Sequence, residues 1–525
     1  MRSLRLATTT QADSHDSTEV SGATRKLPCT FLSFVIALVF LYPRFFLLPA
    51  TPFAASGDEL LFFSRALRIL HGQVLYRDVF EIAGPGTEAL YAFGFYLFGQ
   101  HAWVIQAWHV ALGCAFCIAL TSISEQIFEG PAVFLPTLMF LAFDFSSAAD
   151  ATHHWYSTLA VVCAVSILMR GRGLCRTALA GLLCGVAALF TQTQGGMVTI
   201  ALSAYLLLTR RKTDTIGDSI RSLFAFLTPC VLLLVVFFGY YVLRAGVHVL
   251  LYDLVVFPLT GLSGAINSPR IYLHQLPGIH GPATLLQATP FFVIVALVPY
   301  VYLITLYQLW KKPLLSETRR QQMLLLCVAG LALFLAVCSG PTFFRLSTVA
   351  PLAIVCFVWL IERSRSAQVL RRALFGFTLC FFVWLPMHRQ LQRHPTLDLP
   401  TGKVAFTDPG SYELMQWMQA RTHPGDSFFN DDGVAFYLKL RNPTHAEFVN
   451  NDDFTTSQDI IRILAAMQQQ PPRYIAILPG LPETPHDHAG PFRAYVQSKY
   501  CLAQTFLISS SKSAEEIWGV CPNKQ

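Results

Sequence analysis

TFLSFVIALVFLYPRFFLLPATPFAASGDELLFFSRALRIL, Thr30–Leu70, joins two segments of different physical character. Thr30–Leu48 is an almost unbroken apolar run. It is too long for a signal-peptide core and no small-residue cleavage site follows it, so it reads as a first membrane-spanning helix. After Pro49 the chain turns polar, and Ser56-Gly57-Asp58-Glu59 precedes LLFFSRALRIL. That S-x-x-E pattern predicts a capping box opening an amphipathic helix that lies along the membrane surface on its Leu and Phe face.

The rest of the chain extends this pattern. Of 525 residues 54% are hydrophobic and 13% charged, with mean hydropathy +0.48, against about 25% charged in an ordinary soluble protein. A soluble enzyme and a disordered chain are both excluded. Further apolar runs lie near 102–122, 131–148, 155–169, 176–191, 195–209, 222–244, 286–308, 322–338, 343–361 and 370–386. Eleven spans follow, since the bilayer core takes about 20 apolar residues per helix.

The net charge of +7 sits in short clusters between runs and not along one polar face, so nucleic acid is not a partner. Arg170, Arg172 and Arg176; Arg210, Arg211, Lys212 and Arg221; Lys311, Lys312, Arg319 and Arg320; and Arg363, Arg365, Arg371 and Arg372 fall in every second loop. The positive-inside rule puts these loops, and the polar tail 1–27, in the cytoplasm. The tail reads as disordered, 28–386 as the membrane domain, and 49–101 as its first external loop. Within that loop Thr87–Phe98 is too short to cross; if it does cross, Val247–Leu259 must cross too, giving thirteen spans. Residues 387–525 turn Pro-rich and polar and read as an external α/β domain, with helices over 411–420 and 458–469 and strands over 474–478 and 502–508. Most of the thirteen cysteines lie in apolar runs. Cys501 and Cys521 do not, and can pair in an oxidising compartment.

Candidate chemistry concentrates in the external loops. The first holds Asp58, Glu59, Asp78, Glu81 and Glu88 with Arg65, Arg68 and Arg77. Glu59 is explained by capping; Asp58 is either a cap or a general base at the membrane surface. Asp150-Ala151-Thr152-His153-His154-Trp155 places Asp150 and His154 four apart, which suits a helix end, a carboxylate–histidine pair or a weak metal site. His153 would point elsewhere. Arg345, in SGPTFFR, is a partner for a lipid phosphate or a snorkelling interfacial residue. Arg270, Tyr272 and His274 form a weaker cationic and aromatic group. Asn430-Asp431-Asp432 and Asn450-Asn451-Asp452-Asp453 read as turns, with sugar or Ca²⁺ binding as the alternative.

Residues 57–113 also carry a family pattern: Asp58-Glu59, then Gly72–Asp78 ending Tyr76-Arg77-Asp78, then Pro85 opening a surface helix that ends Leu97-Phe98-Gly99. This resembles the opening of the GT-C glycosyltransferases, in the protein mannosyltransferase and aminoarabinose transferase branch with its RgtA/B/C/D-like members. The resemblance implies a plasma-membrane enzyme that moves a sugar from a polyprenyl-phosphate donor to an extracytoplasmic glycolipid, polysaccharide or protein. It gives Asp58 the catalytic role with Glu59 beside it, and makes Arg345, Tyr76, Arg77, Asp78, Arg270 and Tyr272 candidates for the donor phosphate or substrate. Gly84-Pro85-Gly86 replaces the family's paired prolines. The resemblance fixes no cofactor and leaves a divalent metal open. A transporter or a non-catalytic scaffold is the competing class. Transport predicts ionisable groups inside the spans, where each costs about 2.5–3.5 kcal/mol, and the runs read as almost free of them.

Overall fold

The computed structural model describes residues 28–209, 215–260, 267–275, 281–311, 316–364, 366–450, 455–478, 487–508 and 513–521. The tail 1–27, Arg210, Arg211, Lys212, Lys312, Arg365 and Asn451–Asp453 lie outside them.

Every apolar run falls on helix. α1 (Cys29–Phe45) leads to α2 (Glu59–Leu70) and α3 (Gly86–Phe98). There follow α4 (Ala102–Ser124), a broken segment Gly130–Ser147, α5 (His153–Met169), α6 (Leu174–Phe190), α7 (Gln192–Leu208) and α8 (Ile216–Ala245). A short apolar helix, Val247–Thr260, precedes α9 (Pro282–Lys311), α10 (Glu317–Val337), α11 (Phe343–Val349), α12 (Pro351–Glu362) and α13 (Ala367–Leu391). Among the described residues six helical segments are long and apolar enough to cross a membrane, and α11 with α12, bent by 69°, makes a seventh. The fold is a polytopic α-helical membrane bundle. Packing is close: a Cβ on Gly181 of α6 would stand 1.8 Å from the Phe226 carbonyl oxygen in α8, so only glycine fits there.

The two ends of the bundle differ in chemistry. At one, the basic loops tie helix ends together: Arg170 donates to Ser122 Oγ (2.8 Å), Arg172 to the Thr209 carbonyl (2.7 Å), and Arg319 to the Gln126 carbonyl. At the other, termed the site end, the acidic and histidine-rich loops converge. The apolar runs hold more ionisable groups than hydropathy suggests, and this corrects the expectation drawn from it. Arg44, His109 and Asp144 all belong to runs, each within a few turns of the site end; Arg44 donates to backbone carbonyls and His109 meets Glu59, whereas Asp144 is fully buried.

Beyond α13, two antiparallel pairs line the junction: β1 (Phe46–Leu47) with β2 (Thr51–Pro52), and β3 (Thr396–Leu399) with β4 (Gly402–Ala405). The terminal domain contains α14 (Pro409–Gln419), β5 (Phe428–Phe429), α15 (Asp432–Leu438), α16 (Ser457–Gln469), β6 (Tyr474–Ile477), α17 (Gly490–Lys499), β7 (Tyr500–Ile508) and β8 (Ser513–Val520). Its sheet runs β5-β6-β8-β7, with β5 parallel to β6 and the other pairs antiparallel. Cys501 and Cys521 form a disulfide. The domain is not tethered loosely. The Ala54 N–H donates to the Ala405 carbonyl (2.8 Å), the Ala55 N–H to Tyr437 Oη (2.6 Å), and Phe63 of α2 packs on Phe436 of α15.

Candidate active site

The site is built on the N-terminus of α2. The capping box expected from Ser56 is not formed. Asp58 occupies the cap position in helical conformation and makes no side-chain cap bond, and Glu59 is turned inward. Glu59 is 2% exposed; its Oε2 lies 2.8 Å from His109 Nε2 and accepts from the Ala151 N–H at 3.3 Å. α4 thus supplies a partner that outcompetes the local cap, because a buried carboxylate needs charged or N–H donors on every side it loses water.

Asp58 points to the mouth. It is exposed to solvent yet surrounded closely enough that burial raises its carboxyl above the ordinary range; the Arg345 charge opposes this rise and the Glu59 charge adds to it. Asp150 stands behind it, its carboxyl pushed well up by burial and then by Glu59 and Asp58, while the Asp58 backbone N–H bonds to it. Three carboxyl groups from two loops come together here: Glu59 accepts from the Ala151 N–H, and a Cβ on Gly57 would stand 3.6 Å from Asp150 Oδ2. From α11 the Arg345 charge acts on Asp58. It is half-buried and donates to Asn267 Oδ1 (2.8 Å) and the Gly340 carbonyl (3.2 Å).

The histidine loop is rearranged relative to expectation. Thr152 is the N-cap of α5, so Asp150 lies outside the helix and does not share a face with His154. The His153 and His154 rings instead lie 4.1 Å apart, with His153 against Phe62 and facing Glu81 and Arg345. Among the described residues no three His, Cys, Asp or Glu side chains converge as metal ligands. The Asp150–His154 metal candidate has neither the shared face nor a third ligand.

Under the mouth lies a buried ion cluster. Arg65, 3% exposed, pairs with Glu81 and lies 3.4 Å from Glu447 and 3.9 Å from Glu88; Arg68 reaches Glu447 at 2.8 Å. Burial and then the Glu81 charge push Glu88 well above the carboxylate range, whereas the Arg65 charge holds Glu81 low despite its burial. Glu88 is therefore the protonated member. Gly84 makes the approach: a Cβ there would meet the Leu189 carbonyl oxygen at 2.1 Å. Gly84-Pro85-Gly86 is a contact with the end of α6, which accounts for the departure from paired prolines.

The other candidates are placed apart. Tyr76, at φ +68°, donates to the Ala83 carbonyl (2.8 Å), Arg77 pairs with Asp78, and Asp78 accepts from the Val74 N–H. These three shape a turn and line a cavity of about 890 Å³ between the first loop, Val247–Thr260 and the terminal domain. Tyr272 donates to the Val295 carbonyl and Arg270 is exposed; neither has a contact with the carboxyl group cluster among the described residues. Asp431 caps α15, and Asn430 bridges the distant Ala476 carbonyl and Val449 N–H. Sequence reasoning missed His109 and Glu447. A histidine inside an apolar run was the available signal for the first; nothing local marks Glu447.

No family model matches the chain, and no curated protein matches it. The solved structure of ArnT from Cupriavidus metallidurans bound to undecaprenyl phosphate does, with TM-score 0.57 at 12% identity over 94% of this chain and 98% of that one. Its apo form gives 0.57 at 13% identity, over 93% and 97%. The chain has the ArnT fold. AglB, an oligosaccharyltransferase from Archaeoglobus fulgidus, matches more loosely, with TM-score 0.48 at 10% identity over 85% of this chain and 69% of that one. The likeness in fold to ArnT covers almost the whole of both chains.

Proposed function

We propose that the protein is an integral-membrane glycosyltransferase that takes a sugar from a polyprenyl-phosphate carrier and passes it to an acceptor at the site end, which faces away from the cytoplasm. The observation that carries this is the gathering of Asp58, Glu59 and Asp150 around the start of α2, with the Arg345 charge acting on Asp58. That undecaprenyl phosphate is bound to an ArnT structure supports the choice of carrier. The gathering of basic loops at the opposite end supports the orientation, with the N-terminus in the cytoplasm and the terminal domain outside the plasma membrane.

A lipid-phosphate donor is confined to the bilayer and presents its sugar at the surface. A carboxylate at that depth can reach the sugar's anomeric carbon from the side opposite the leaving group. Asp58 accepts the acceptor's hydroxyl proton as the new C–O bond forms. The bond from the sugar to phosphate oxygen breaks, and its electron pair leaves on the polyprenyl phosphate. Arg345 neutralises that developing charge through a planar, permanently charged fork. The raised carboxyl of Asp58 favours the task, since a base works best with its pKa near the operating pH.

Transfer of radiolabelled sugar from membrane-extracted polyprenyl-phosphate donors tests the proposal. Wild type should transfer, and Asp58→Asn should fall by about 10²–10⁴-fold while its melting temperature is retained. As Asp58 must be ionised to act, wild-type activity should drop as pH falls through its raised value. Equal transfer by both proteins would remove Asp58 from catalysis, and no transfer from any donor would remove the enzyme.

A further inference from the structure

A second polar cavity, of about 180 Å³, lies at the site end between the first and last helices of the membrane domain. Arg44, in the last turn of α1, and Arg389, near the end of α13, both line it, together with Glu59, His109, Ser146 and Ser147. Arg44 donates to the Ser146 carbonyl at 3.1 Å and the Leu385 carbonyl at 3.4 Å. The Arg389 guanidinium lies 4.4 Å over the Phe53 ring, its side chain makes no hydrogen bond to a described residue, and its Nε is shut off from solvent. The two guanidiniums are close enough to repel each other, and neither has a carboxylate within ion-pair distance among the described residues. Glu59, the acid in the wall, is already held by His109 and the Ala151 N–H.

The positions of the pair are fixed by the fold. Gln390 donates to the Pro43 and Phe46 carbonyls at 2.7 and 2.8 Å and accepts from the Leu48 N–H, clasping α13 to the end of α1. His394 Nε2 stands 2.6 Å from the Arg389 carbonyl. Two half-buried cations held side by side without an anion is an arrangement that costs stability by itself, and an oxyanion with several acceptors relieves it.

We propose that Arg44 and Arg389 form a second anion site that seats a phosphate group, distinct from the mouth where Arg345 stands. A phosphate here lies on the Glu59 side of the site, whereas Arg345 serves the Asp58 side. Its part in sugar transfer rests on the function proposed above; the binding does not.

The test uses purified full-length protein in phosphatidylcholine nanodiscs, carrying Arg345→Gln to silence the other cationic position. Inorganic phosphate, polyprenyl monophosphate and polyprenol are titrated separately, with bound stoichiometry and melting temperature as readouts. One phosphate-dependent binding event should remain, absent with polyprenol. Arg44→Gln and Arg389→Gln should each weaken it about tenfold or more, and Arg389→Lys less. Saturable binding of polyprenyl monophosphate alone assigns a lipid headgroup, and binding of inorganic phosphate as well assigns a site open to free anions. Without phosphate, Arg389→Gln should melt no lower than its parent, because a like-charge repulsion is gone. Absence of binding overturns the proposal, as does binding unchanged in the Gln variants or an earlier melt with affinity retained. Failure of sugar transfer leaves these readouts untouched.

Discussion

Asp58 and Glu59 are adjacent in the chain and have opposite environments, because a helix start turns successive side chains about 100° apart. One carboxyl meets the mouth and the other meets α4. Glu88 gives a sharper case of environment overriding residue type. Folding keeps its proton, while an unfolded glutamate releases one above about 4.5. The folded state therefore holds its full stability below that value and loses it as pH rises toward the raised one, at about 1.4 kcal/mol per pH unit. Glu88→Gln has no proton to lose. It should melt at or above the wild-type temperature at pH 8, with the difference vanishing near pH 4.5, in paired thermal scans. A variant less stable at every pH would mean an ionised Glu88 serving Arg65. Asp58 was legible as a candidate from its position after the first run, but its inner neighbour was not: S-x-x-E is a local pattern, and His109, fifty residues away in sequence, decided which partner Glu59 took.

At the level of elements, hydropathy located the helices well, since burial in lipid demands long apolar runs wherever a helix crosses. It located the breaks poorly. The 69° bend between α11 and α12 comes at Pro351, the first residue of α12. The loop from α2 to α3 depends in the same way on one close approach. Gly84→Ala should cost about 1–3 kcal/mol, as the added carbon cannot coexist with the Leu189 carbonyl. Because Glu81 and Glu88 flank that contact, sugar transfer should fall with it. Gly196→Ala, inside α7 with nothing within 4 Å of its added carbon, is the control and should hold or raise the melting temperature, by at most about 1 kcal/mol equivalent.

For the whole molecule, the orientation is the property most open to a direct check. Cys175 is exposed at the start of α6, among the basic loops. A membrane-impermeant maleimide should label it only after cells are opened, with Cys175→Ser confirming the labelled position; labelling on intact cells would invert the bundle. Charge asymmetry is what the sequence offers for this side, whereas nothing in it marks the docking of the terminal domain. That docking rests on Glu447 reaching Arg65 and Arg68, and on Tyr437 reaching Ala55, pairs separated by about 380 residues whose partners carry no mutual mark in the chain.

The clasp made by Gln390 has a consequence for how the protein is made. Its amide satisfies the Pro43 carbonyl, 347 residues earlier. The ribosome therefore releases the first helix long before the residue that closes its far end exists. Throughout that interval the carbonyls of Pro43 and Phe46 and the N–H of Leu48 wait for this partner, although the first helix can already pack on α4 through Ser33 and Thr121. A chain terminated before α13 inserts most of its apolar mass and still leaves that seam open, a defect that cellular surveillance of membrane proteins can recognise without any knowledge of the chemistry the site performs.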